Sequence, residues 1–93
     1  MSRQRSKETE WERRALIVKP YELLCYRSCY YLLQCEAEAM QAALACMEQV
    51  MRDDAFFQSA DLHRQTIVRK TAIRCSLQLA RSRGATSRHS HIS

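Results

Sequence analysis

Glycine and proline are nearly missing from this chain: Gly84 and Pro20 are single occurrences in 93 residues. Tight hairpins and phosphate-cradling loops depend on glycine at positive φ, and proline presets many turns, so β-rich and nucleotide-binding folds are disfavoured. Long apolar runs are missing too. Nothing approaches the roughly eighteen consecutive residues that a membrane-crossing helix requires, so no membrane partner is expected. Histidine is scarce, with only His63, His89 and His91, and no Ser/His/acid or Cys/His pairing falls at helical spacing. The expectation is a chain that is not an enzyme, with no catalytic residue and no cofactor. The start, MSRQRSKETEWERR, has basic residues but no apolar stretch, so it does not read as a secretory signal; Glu8, Glu10 and Glu12 speak against a mitochondrial presequence.

What the chain does have is a supply of Ala, Leu, Gln, Glu and Arg, all good helix formers. The fold class expected is all-α: a long antiparallel helical hairpin with a short N-terminal helix, assembling into a helical bundle as a dimer or with a partner. A chain this short buries a modest core and is often stabilised by oligomerisation.

Three helical segments are expected between a disordered basic arm at 1–8 and a disordered basic tail at 83–93. The first runs over about 9–19 and ends before Pro20, which can begin a helix but not continue one. The second runs over about 20–52 without a breaker. Tyr26, Leu33, Met40 and Met47 recur every seven residues, with Tyr30, Ala37, Leu44 and Met51 four positions later. That is an a/d seam over about four heptads. Cys25, Cys29, Leu32, Ala39, Ala43, Cys46 and Val50 widen it on one flank. Asp53 and Asp54 suit a helix C-terminus badly, because its dipole prefers cations, so the helix is expected to end there. The third runs over about 60–82, with Ser59 as its cap and Val68, Ala72, Cys75 and Leu79 as its seam.

The short 53–59 connection makes the long helices antiparallel neighbours. Such a hairpin cannot cover its own apolar faces. The expected partner is therefore a second copy (a homodimer) or another helical protein. The expected interface residues are Tyr26, Tyr30, Leu33, Met40, Leu44, Met47 and Met51, joined by Phe56 and Phe57 from the connection. One of those two rings is expected to plug the open end of the bundle.

The stretch CYRSCYYLLQC holds three of the five cysteines. Cys25 and Cys29 share a helix face and are the candidates for a metal pair. On one continuous helix, however, Cys35 and Cys46 fall about 80–120° round from them, so one helix does not assemble the four ligands of a zinc site. Cys25 and Cys35 enclose nine residues, which resembles one half of the twin Cys-x9-Cys pattern; the second pair has no counterpart, since the third helix carries only Cys75. No bound metal is expected: free cysteine packs well as a small buried apolar residue.

Charge is unevenly spread. Residues 1–19 carry six basic and three acidic side chains, residues 20–58 two and six, and residues 59–93 seven and one. The acidic middle can attract the basic third helix within the chain. The same charge also gives His63, Lys70, Arg74 and Arg81 as one stripe on the third helix, extended by Arg83. Lys70, Arg74, Arg81 and Arg83 are the candidate contacts to an anion or a nucleic acid. The function expected first is a small helical interaction protein (adaptor, assembly chaperone or regulatory subunit); the alternative is a basic nucleic-acid-binding regulator, and behind both stands a thiol metal-binding helical bundle. An odd number of cysteines without a secretion signal points to a reducing compartment, cytoplasm or nucleus.

Overall fold

A computed structural model describes residues 2–92 along the backbone and residues 9–82 with their side chains. The arm at 1–8 and the tail at 83–93, expected to be disordered, lie outside the fully described residues. Every regular element described is helical: α1 (Ser2–Val18), a 3-10 turn (Lys19–Tyr21), α2 (Glu22–Leu33), α3 (Glu36–Met51), α4 (Asp54–Phe57) and α5 (Asp61–Ile92). Pro20 sits in the 3-10 turn that links α1 to α2, near a helix start, where its missing N–H costs nothing.

One expectation is corrected here. The helix expected over 20–52 is two helices, broken at Gln34 and Cys35. Gln34 takes the left-handed conformation, φ 55° and ψ 31°, and its amide closes α2 on the Tyr30 carbonyl at 2.7 Å. Cys35 is extended, φ −146° and ψ 123°, and starts α3, with Glu36 and Glu38 in the first turn. Two negative charges there complement the positive end of the new helix dipole. A left-handed residue with a side chain costs roughly 1–2 kcal/mol, and the packing of α2 on α3 offsets it.

The break folds the chain back on itself. Cys25 lies against Ala43, so α2 and α3 form an antiparallel hairpin joined by two residues. Cys46 lies against Val68, so α5 returns antiparallel to α3. Cys29 lies against Ala72, so α5 runs parallel to α2. Three helices thus enclose a core built mostly of small residues: Cys25, Cys29, Ala39, Cys46, Ala72 and Cys75, with Val50 and Val68. Of the residues that only widened the flank of the sequence seam, all but Leu32 are inside, joined by Leu33 from the seam itself. A continuous heptad over 20–52 missed this because large side chains dominate such a pattern, whereas three closely packed helices need small ones at their centre.

The end of the bundle below α2 is closed by rings. Asp53 caps α4 by accepting from the amides of Ala55 and Phe56. Phe56 is fully buried, edge-on to Tyr21 at 5.4 Å and to Phe57 at 4.9 Å between centroids. Ser59 does not cap α5; its hydroxyl donates back to the Ala55 carbonyl at 2.7 Å. Arg64 ties the connection down, donating to the carbonyls of Phe56 and Phe57, both at 3.0 Å. From the other side Arg14 of α1 stacks 4.5 Å from the Phe57 ring centre and donates to the Met51 carbonyl and to Asp54.

Candidate interaction surface

The expected interface residues divide into two groups. Leu33 and Phe56 are buried within the chain, which corrects their assignment to an interface with another molecule. Tyr26, Met47, Met51 and Phe57 pack half-buried against the core. Tyr30, Met40 and Leu44 stand outside, with Leu44 64% and Met40 53% exposed.

Helical geometry places the exposed group. On α3, Ala39, Ala43, Cys46 and Val50 point inward; Met40, Leu44, Met47 and Met51 lie about 100° to one side of them at 100° per residue. Gln49 lies on the opposite side and there accepts from Arg74 of α5 at 2.8 Å. The methionine–leucine row therefore faces away from α5, along α2. On α2, Tyr26 and Tyr30 occupy the matching side, stacked with centroids 6.1 Å apart. The two halves of the broken heptad thus meet again, side by side, on the outside of the α2–α3 hairpin. Burial and the neighbouring Glu36 carboxylate raise the Tyr26 phenol above its usual 10.0.

The cysteines are brought together more than one continuous helix allowed. Cys25, Cys29, Cys46 and Cys75 are all buried, and all five cysteines are free. Cys25, Cys29 and Cys46 each donate to a carbonyl of a neighbouring helix: Ala43 at 3.7 Å, Ala72 at 3.8 Å and Val68 at 3.8 Å. The contact with Cys46, then burial, push the Cys25 thiol well up; burial pushes Cys29 and Cys75 up. With their thiols turned to backbone carbonyls, Cys25, Cys29 and Cys46 pack as small side chains between the helices. Among the described residues no group of three or more His, Cys, Asp or Glu is placed to hold a metal ion.

Lys70, Arg74 and Arg81 are exposed on one line of α5, and His63 continues it. Arg74 is partly engaged through Gln49; Arg83 lies outside the fully described residues. The described ion pairs join Arg14 to Glu10 and Asp54, and Arg52 to Glu48. Sequence reasoning missed Tyr21, Arg14 and Arg64, which hold the aromatic end. Only the excess of phenylalanine in a polar connection signalled that something had to cover it.

No helix of the described residues is long and apolar enough to cross a membrane. No family model, curated protein or solved structure matches this chain.

Proposed function

We propose that this chain is a small helical interaction protein, an adaptor, assembly chaperone or regulatory subunit, which binds another helical protein or a second copy of itself through the outer face of α2 and α3. The observation that carries this reading is the row of Met40, Leu44, Met47 and Met51 beside Tyr26 and Tyr30, left partly or largely exposed once the bundle has packed. Contiguous exposed apolar surface marks an interaction site more often than scattered residues do. Methionines adapt to differently shaped partners, and tyrosines contribute large contact area with few rotors. A chain with five free thiols fits a reducing compartment, cytoplasm or nucleus.

Sedimentation of the purified chain at micromolar concentration, repeated with Leu44→Asp, tests the reading. The wild type is expected to be dimeric or larger, and the variant monomeric with unchanged helix content, because the new charge would be buried at the contact. If both are monomeric, the occupant is another protein, and photo-cross-linking from position 40 in the native cell must capture one helical protein there. Cross-links scattered over many proteins and unchanged by Leu44→Asp would sink the reading.

A second reading, a basic nucleic-acid-binding regulator, draws support from the exposed line of Lys70, Arg74 and Arg81. It requires binding to DNA or RNA that weakens steeply with salt, and a shallower slope after Lys70→Glu.

A further inference from the structure

The groove between α2 and α5 differs in chemistry from the α2–α3 face. Two depressions lie along it. The lower is lined by Ile17, Pro20, Tyr21 and Leu24 against Arg64. The upper, about 350 Å³, is lined by Arg27, Ser28, Tyr31 and Leu32 from α2 and by Arg69 and Ile73 from α5. Its apolar groups are accessible: Tyr31 is 77% exposed, and Ile73 and Leu32 about 40%. Exposed Leu62 and Leu77 continue the row at either end. On α5, Leu62, Arg69, Ile73 and Leu77 fall within about 80° of one another, and the stretch from Leu62 to Leu77 spans about 22 Å, four turns of helix.

The charge beside the upper depression is of one sign, from Arg27 and Arg69. No carboxylate lines the upper depression. Asp61, the one acid lining the lower, is already committed on both oxygens, to the Tyr21 hydroxyl and to Gln65. Among the described ion pairs none includes Arg27 or Arg69. An apolar floor four turns long, whose upper depression has two guanidinium groups beside it and no carboxylate in its lining, is complementary to one kind of occupant.

We propose that the α2–α5 groove docks an amphipathic helix of another protein, one that carries acidic residues beside its apolar stripe. Laid against α2 and α5, it completes a four-helix bundle and anchors through side chains at i, i+3 or i+4, and i+7. Its carboxylates reach Arg27 and Arg69, whose planar forks bind them in pairs of hydrogen bonds. A basic helix of the same shape meets like charge at the rim and is rejected. The surface is separate from the α2–α3 face, so the chain would have two faces with different selectivity.

The test uses the full chain and two labelled helical peptides of about sixteen residues. They share a leucine stripe, flanked by glutamate in one and by lysine in the other. Fluorescence anisotropy is expected to show the glutamate peptide binding at least about tenfold more tightly. Arg27→Glu with Arg69→Glu should reverse that preference, and the glutamine pair at the same positions should abolish it. Both sites are exposed, so circular dichroism should show the fold unchanged. Leu44→Asp should leave peptide binding intact, which separates this surface from the α2–α3 face. Equal binding of both peptides, or a glutamate preference that survives the charge reversal, overturns the proposal. So does a wild-type oligomer that dissociates on charge reversal, because the groove is then filled by a second copy.

Discussion

The middle of the bundle and its closed end are built on opposite principles. In the middle, alanines and cysteines let three helices come so close that thiols touch the neighbouring backbone, at 3.7–3.8 Å from its carbonyls. At the end, Tyr21, Phe56 and Phe57 fill a wider space with rings, held by the guanidinium groups of Arg14 and Arg64. The first region depends on side chains being small, the second on their being large. The same core therefore has one zone that tolerates no enlargement and another that tolerates no truncation.

The strongest way to break this contrast is Phe56→Ala. Losing a fully buried ring should cost about 3–5 kcal/mol in denaturant unfolding, whereas Phe57→Ala, at the half-buried ring, should cost less. A change under about 1 kcal/mol at Phe56 would show that the ring is no plug. Next is Ala43→Leu, which forces a branched side chain between α2 and α3 and should cost about 1–3 kcal/mol. A neutral result would mean that the helices are not held close. Ser76→Ala should sharpen the picture with a smaller effect of opposite sign. Ser76 Oγ is buried beside Cys29 and meets no partner of ordinary geometry among the described residues. Its removal should raise stability by about 1 kcal/mol. A loss instead would mean that the hydroxyl is bonded to the Cys29 sulfur.

The smallest effect near neutral pH is the titration that distinguishes the two regions. In the middle, the raised thiols of Cys25, Cys29 and Cys75 bind their protons more tightly when folded. Their contribution is complete below the usual 9.0 and fades as pH rises above it. At the end, the Tyr21 hydroxyl donates to Asp61 and, with Gln65, holds its carboxyl below the usual 3.8. That contribution is complete above 3.8 and fades as pH falls through the lower folded value. Asp61→Asn should flatten the acid limb of the stability curve alone, and Cys29→Ala should soften only the alkaline one. Equal changes in both limbs from either variant would mean that the regions are not separable.

The all-helical class was legible from composition, because a chain with one glycine and one proline has few other options. The break at Gln34 was not. Glutamine carries no turn signal, and Leu33 and Met40 keep the seven-residue spacing across it, so the heptad runs on where the backbone does not. A weaker sign stood in Glu36 and Glu38, two acids opening a helix after an uncharged run. Reading a new start there splits the seam and brings Cys46 against Cys25. The groove was harder to see: Arg27 and Arg69 lie on different helices and become neighbours only through the parallel pairing of α2 with α5.

The two-residue link at Gln34 and Cys35 also orders events in time. Closing α2 onto α3 spans a loop with almost no length and so little chain entropy, whereas Cys29 of α2 meets Ala72 of α5 across 43 residues. Loop closure therefore predicts the hairpin as the early element and α5 as the late one that docks on it. The methionine–tyrosine face belongs wholly to the hairpin and exists as soon as the hairpin does. The arginine groove needs α5 as its second wall and exists only in the finished molecule, so one face is open to a partner during folding and the other only after it.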